Sequence, residues 1–306
     1  MSSLTEPVSI KSLSHIDVTP DKAPVAFDLS DFLYEAIDTS KFAEINTWAN
    51  YFDEIPVDPY IKDGYRYKSI AWFRIKHIKA KAIEGIDAHI AAVNKLSRMN
   101  AQESSKYLST SAPDWQSDDT GYYFWHLPQY AMQQSIKYNP VHGDMRREYP
   151  PISESITKSA DFHKLLTLYA TFFGWDDAIV LVQFQRVDCF TGRIGLPAVE
   201  GFHQDGNRHV GMLVVNRDNV TPESGVSQYV MDNNGQKTDD LIFNSVIPTG
   251  QLIYWNDKAV WHYGTELKVA DTNVNGGRGI RDIILFSAKT PPANMPIGAV
   301  PEKFRK

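Results

Sequence analysis

Two short stretches of the chain carry side chains suited to gripping a cation. The first is Glu200-Gly201-Phe202-His203-Gln204-Asp205-Gly206. On an extended backbone, residues two apart project to the same side, so His203 and Asp205 offer an imidazole nitrogen and a carboxylate oxygen to one ion. The second is Asn256-Asp257-Lys258-Ala259-Val260-Trp261-His262-Tyr263-Gly264-Thr265, where a polar turn leads through an apolar pair to a histidine on a new strand. Each has an ordinary reading of its own: a solvated turn for the first, a core histidine bonded to a carbonyl for the second. Together they make two imidazoles and one carboxylate, the set that suits non-haem Fe(II) oxygenases because it leaves coordination positions open.

An iron site of that kind that uses 2-oxoglutarate needs a cation for the far carboxylate of this co-substrate. Arg281 opens the apolar run Asp282-Ile283-Ile284-Leu285-Phe286. An arginine at the mouth of a buried strand is costly unless paired, and its planar fork matches a carboxylate through two parallel hydrogen bonds. Its ordinary reading is a salt bridge to Asp282 or another acid. Arg278, in Gly276-Gly277-Arg278-Gly279, is the competing anchor; the flanking glycines favour Arg281 by marking that loop as exposed.

These residues must be positioned by the elements around them, and the chain divides by texture. Residues 1 to about 28 read as a polar arm. Helices are expected from Asp28 to about Ile37, from the Thr39-Ser40 cap through Tyr51, over 80–98, and over Asp161–Phe173 with Gly174 as its stop. Residues 100–119 read as a loop. From Ala178 onward the runs are short and rich in β-branched and aromatic residues: Ala178–Val187, His209–Val215, Val226–Met231, Gly250–Trp255 and Arg281–Ser287. Asp232-Asn233-Asn234-Gly235 supplies hairpin chemistry between two of them. The expectation is one domain over 1–306, with mostly helical support over about 29–119 and a β core over about 120–290.

Composition narrows the partners. The 306 residues include 37 acids against 31 Lys and Arg, a net charge of -6, which argues against a nucleic-acid partner. Cys189 is the sole cysteine, so neither an intramolecular disulfide nor a thiolate metal cluster can form. The start of the chain lacks a basic patch followed by an apolar run, and no apolar run is long enough to span a bilayer. The expectation is a cytoplasmic protein with a small-molecule substrate and no membrane partner; oligomeric state is not legible.

The chain resembles the 2-oxoglutarate dioxygenases that act on free L-amino acids, the group containing the L-isoleucine dioxygenases. The resemblance spans residues 50 to 290. It rests on ordered blocks: Pro56-Val57-Asp58-Pro59-Tyr60, Gly64-Tyr65-Arg66-Tyr67, Tyr138-Asn139-Pro140-Val141-His142-Gly143 with Arg146-Arg147, Gly195-Leu196-Pro197, the Glu200–Gly206 stretch, Val260-Trp261-His262-Tyr263-Gly264, and Arg281-Asp282-Ile283. It implies an α+β chain with a mainly β core, a double-stranded β-helix (jelly roll, cupin-like) buttressed by N-terminal helices. His203 and Asp205 would share one strand, His262 a later one, and Arg281 would grip the co-substrate. Fe(II), 2-oxoglutarate and O2 would be required, with succinate and CO2 released. The loop between His262 and Arg281 is longer and more polar than the family pattern. His209 reads as packing and His142 as part of a structural loop.

For a free amino acid, Glu200 is a candidate partner of the ammonium, Gln183 and Gln185 are hydrogen-bonding candidates, and the Arg146-Arg147 pair, Arg146 first, is a candidate for the carboxylate. Phe202, Tyr254, Trp255 and Trp261 suggest an apolar wall for a branched or hydrophobic side chain. The outcome is hydroxylation, or diversion to desaturation or C–N ring closure. Two other accounts fit the residues: a cupin-like metal dioxygenase working without 2-oxoglutarate, and a non-catalytic β-barrel binding a metal or small acid.

Overall fold

The computed structural model describes residues 42, 44–61, 65–77, 122–139, 141 and 143–291, with the strands 32–36, 107–108, 115–117 and 300–301. The expected arm over 1–28, the helix over 80–98 and His142 lie outside the described residues.

An eight-stranded antiparallel sheet dominates. Its order is β1 (Phe32–Ala36), β10 (Gln251–Asn256), β7 (His209–Asp218), β12 (Arg278–Lys289), β6 (Asp177–Phe190), β2 (Arg66–His77), β5 (Tyr122–Leu127) and β4 (Trp115–Ser117). A second sheet has the order β11 (Val260–Gly264), β8 (Val226–Asn233), β9 (Gln236–Val246), and a two-stranded pair joins β3 (Tyr107–Leu108) to β13 (Val300–Pro301).

The central strands are buried on both faces, and alternation sorts their side chains into two layers. Ala71 and Phe73 of β2, Val180, Val182 and Phe184 of β6, Leu213 of β7, Leu252 and Tyr254 of β10 and Ile284 and Phe286 of β12 form the outer layer. Helices cover it. α1 (Trp48–Glu54) contributes Trp48 and Phe52, and α2 (Ala160–Phe172) contributes Phe162, Leu165, Leu166 and Tyr169. The α2 pattern of apolar residues three and four apart supplies that face, Ser159 caps its start by accepting from the Phe162 amide at 3.3 Å, and Gly174 ends it at φ 62°.

The inner layer is chemically split. Val210, Met212, Val214, Ile253, Trp255 and Ile283 pack against Tyr229 and Phe243 of the second sheet and Val260 of β11. Two facing antiparallel sheets around this core make the expected double-stranded β-helix. Farther along, the same inner face carries Arg66, Lys68, Gln183, Gln185 and Arg281, polar residues that face a cavity rather than a core.

Several expectations need correction. Residues 32–36 form a strand rather than a helix, because β10 would otherwise present an open edge; the backbone pairing Phe32↔Trp255 through Ala36↔Gln251 closes it. Among the described residues of the stretch about 29–119, β1 to β4 stand beside the helical segment 45–54. The helix predicted from the Thr39-Ser40 cap through Tyr51 is helical where it is described, as a 3-10 turn at Ile45–Thr47 leading into α1, while the cap lies outside the described residues. The predicted loop over 100–119 contains β3 and β4. The hairpin turn is where expected, with Asn234 and Gly235 both at positive φ between β8 and β9.

Candidate metal centre and its cavity

His203, Asp205 and His262 come together with one ligand atom each, all within 4.8 Å of one another. His262 sits on β11. His203 is not on a regular strand: it forms an isolated bridge to His262, within a segment bent by Gly201 at φ 73° and Gly206 at φ 76°. At Gly206 a side chain would also meet the Tyr138 ring, 2.8 Å from an added Cβ.

The surroundings prepare these groups for a cation. His203 Nδ1 lies 2.9 Å from the Gly201 carbonyl, which assigns the proton to that nitrogen and leaves Nε2 as the lone-pair donor. His262 is buried, and burial, followed by the charge of His203, pushes its pKa well below the usual histidine range, so it stays neutral. Asp257 holds the Asp205 turn. Its carboxylate accepts from the amides of Asp205 (3.0 Å), Gly206 (2.8 Å) and Asn207 (3.2 Å). Burial, and then Asp205, push the Asp257 carboxyl up, while the three amides stabilise its charge. Gln134 donates to Asp205 Oδ1 at 3.2 Å. Two imidazoles and a carboxylate converging on a cavity fit a divalent iron, with open positions left for small ligands.

The same cavity is lined by Arg281, Gln183, Gln185, Glu200, Lys68 and Arg147, with Met212, Tyr229, Trp255, Ile283 and Leu285 as its apolar wall. Arg281 is only 2% exposed and has no carboxylate partner among the described residues. Its Nε has no hydrogen-bond partner, and its Nη2 reaches nothing better than the Met212 sulfur at 3.7 Å. Burial, helped by Arg217 opposite it on β7, pushes the guanidinium down to about 10, so it remains charged at neutral pH. The alternatives are occupied. Asp282 points to the other layer and takes Arg186 at 2.6 and 2.9 Å, and Arg278 pairs with Asp188 at 2.8 Å and does not line the cavity.

Other expectations fare unevenly. Arg146 is corrected: it lies at the surface, 3.4 Å from Glu148, because the Met132–Arg147 backbone bridge turns its neighbour Arg147 inward instead. Of the four aromatics expected near the site, Trp255 lines it. Tyr254 alternates to the outer layer, Phe202 packs on Tyr263, and Trp261 donates to Asp232 at 2.7 Å. His209 stacks on Phe173 at 3.9 Å, a packing residue. Arg147, the second member of the expected pair, lines the cavity, whereas Lys68, Gln134 and Asp257 carry no expectation from the sequence. Arg66 and Lys68 carried the available signal, two cations two apart in an otherwise apolar run, Ile70-Ala71-Trp72-Phe73, that reads as a strand.

A jelly roll with two histidines, a carboxylate and an unpaired arginine in one cavity defines a non-haem iron oxygenase fold and site. The profile of the 2OG-Fe dioxygenase family matches residues 111–287, more than half of the chain, and the chain belongs to that family. Fe(II), 2-oxoglutarate and O2 are the family's cofactors and co-substrates. Among solved structures, a bsmA homologue from Methylobium petroleophilum PM1 aligns over 95% of this chain and 96% of its own, at TM-score 0.60 and 16% identity. IDO from Bacillus thuringiensis aligns over 92% and 100%, at TM-score 0.55 and 14% identity. The Fe(II)/(alpha)ketoglutarate-dependent dioxygenase TqaL aligns over 96% of both chains, at TM-score 0.51 and 10% identity. At these identities the likeness is one of fold. No curated protein sequence matches the chain. Among the described residues, no helix is long and apolar enough to cross a membrane.

Proposed function

We propose that this oxygenase oxidises an unactivated C–H bond of a free, branched or hydrophobic L-amino acid, by hydroxylation or by diversion to desaturation or C–N ring closure. His203, Asp205 and His262 are its iron ligands, and Arg281 holds the far carboxylate of 2-oxoglutarate. The observation that carries this reading is the Arg281 guanidinium, buried on the cavity that the three ligands share with no carboxylate partner among the described residues. A buried cation of that kind calls for an anionic guest, and its fork suits a carboxylate.

When bound, Fe(II) with 2-oxoglutarate supplies the oxidation of the C–H bond by O2, with succinate and CO2 as co-products. The protein supplies position. Asp257 fixes the turn that aims Asp205, the Gly201 carbonyl fixes the His203 tautomer, and Met212, Trp255, Ile283 and Leu285 give the cavity its apolar wall. Glu200 Oε2 is buried without a partner and is the acceptor for the amino acid's ammonium, with Gln183 and Gln185 of β6 lining the same cavity.

The test is anaerobic reconstitution with iron, then exposure to air with 2-oxoglutarate and each of the twenty amino acids, reading succinate and product mass. Substrate-dependent succinate with a product heavier by one oxygen, or lighter by two hydrogens, is expected for a branched or hydrophobic member. Oxygen uptake without 2-oxoglutarate would point instead to a cupin-like dioxygenase.

A further inference from the structure

The cavity holds a second cationic wall that binding of 2-oxoglutarate at Arg281 does not use. Lys68 and Arg147 both line it, at 4% and 2% exposure, and among the described residues neither has a carboxylate partner. Lys68 Nζ donates to Gln183 Oε1 at 2.8 Å and sits 5.1 Å from the Tyr149 ring centroid. Those contacts leave donors of the ammonium unspent. Arg147 donates Nη2 to Gln134 Oε1, and its buried Nε has no acceptor. Arg66, the third cation of this wall, is different: Asp58 neutralises it at 2.8 Å.

Two like charges buried side by side are unfavourable without an anion between or beside them. The cavity's own acids do not supply it. Asp205 belongs to the metal, and Glu200 accepts from Asn139 at 3.1 Å while its other oxygen is free for a donor. Setting the Arg66–Asp58 pair aside, Lys68, Arg147 and Arg281 are the basic side chains that line the cavity without a carboxylate partner among the described residues. Burial and then Arg66 push the Lys68 ammonium down, so an anion seated beside it favours its charged form.

The position of this wall separates it from the Arg281 end. In register, Lys68 lies opposite Gln185, which lies opposite Ile283, whereas Arg281 lies opposite Val187 and so level with Arg66. Lys68 and Arg281 are thus two strands across and two residues along, roughly 12 Å apart at the backbone.

We propose that Lys68 and Arg147 form the seat of the substrate's α-carboxylate, a second anion site distinct from that of the co-substrate. The proposal rests on the reading of this cavity as an Fe(II)/2-oxoglutarate site for an amino acid, and it makes the head group the recognised feature. The carboxylate lies against β2, the ammonium meets Glu200, and the side chain is left to select among amino acids by fit.

The test is calorimetric titration, under anaerobic conditions, of the iron- and 2-oxoglutarate-loaded protein. Each of the twenty L-amino acids is titrated first. The tightest is then compared with its C-terminal amide and with the matching α-hydroxy acid, which keeps the carboxylate and loses the ammonium. The expected result is that the amide binds at least roughly tenfold more weakly than the acid, as loss of a buried charge partner requires. Lys68→Met should weaken the acid by a similar factor, abolish the preference for acid over amide, and leave 2-oxoglutarate affinity within about twofold. Arg147→Met provides the same reading should the Lys68 variant not fold, and the comparison of acid with amide on the wild type needs no variant. Equal binding of acid and amide, or a folded Lys68→Met protein with the preference intact, overturns the proposal. So does a fall in 2-oxoglutarate affinity matching that of Arg281→Met. If the hydroxy acid binds as tightly as the amino acid and still depends on Lys68, the carboxylate seat stands and the amino-acid reading falls. If no amino acid binds, that reading falls also; the seat is then tested with α-hydroxy acids and N-acetyl amino acids, and silence there overturns it.

Discussion

His203 and His262 are joined through their main chains: each amide donates to the other's carbonyl at 3.0 Å, and their ring centroids lie 4.3 Å apart. A hydrogen-bonded pair of this kind in an antiparallel bridge sets two side chains on the same face. The spacing of the two imidazoles is thus a property of the backbone, independent of any ion between them.

That independence makes the ligands removable without loss of fold. His203→Ala and His262→Ala each leave both bridge bonds in place. Iron affinity is expected to fall by more than the roughly 10- to 100-fold typical of lost outer partners, with melting temperature little changed. Iron titration and circular dichroism check this, and tight iron binding by either variant would remove that residue from the set.

Arg281→Met carries an unusual pair of expectations. The apparent affinity for 2-oxoglutarate should fall by roughly 30-fold or more, with iron binding kept. The ligand-free protein should become more stable, by on the order of 1 kcal/mol or more, because an unpaired buried charge is replaced by an apolar chain of similar length. Denaturant midpoints with and without 2-oxoglutarate test both. A destabilised variant with unchanged co-substrate affinity would assign Arg281 a structural role.

Asp257→Asn replaces one acceptor of the oxygen pair that takes three amides at the Asp205 turn with a donor. Iron affinity is expected to drop roughly 10- to 100-fold, through Asp205 losing its aim rather than through loss of a ligand. Calorimetry gives the affinity. Metal binding equal to wild type would show the turn to be held without this carboxylate.

Cys189 is fully buried, and burial pushes its thiol up to about 11. The thiolate is the reactive form, so at pH 8 the native protein should resist iodoacetamide and take up the label after unfolding. Mass spectrometry of the two samples checks it; rapid labelling of native protein would show that the β6–β12 pair opens readily.

The parts of the site that could be read from the sequence were those with a local pattern. His203-x-Asp205, the turn before His262 and the apolar run behind Arg281 each announce themselves within a few residues. Strands β6, β7, β8, β10 and β12 were legible for the same reason, as was α2 by its period. What escaped depends on partners far along the chain. Residues 32–36 are a strand because β10 needs an edge partner more than two hundred residues on. Arg146 and Arg147 are equivalent as sequence, and only the bridge to Met132 decides which turns inward. Lys68 looks like a surface residue until the register against Gln185 places it over the cavity.

Gln134 touches both halves of the cavity. Its amide nitrogen donates to Asp205, and its oxygen accepts from Arg147 and, at 3.2 Å, from Asn139. Whatever pins Asp205 therefore steadies the guanidinium that stands ready for a guest, and the reverse holds by thermodynamic reciprocity, each occupant tightening the other by one common factor. On the amino-acid reading, the iron-free protein would hold its guest more weakly than the loaded one by that same factor, and the guest in turn would slow the loss of the ion.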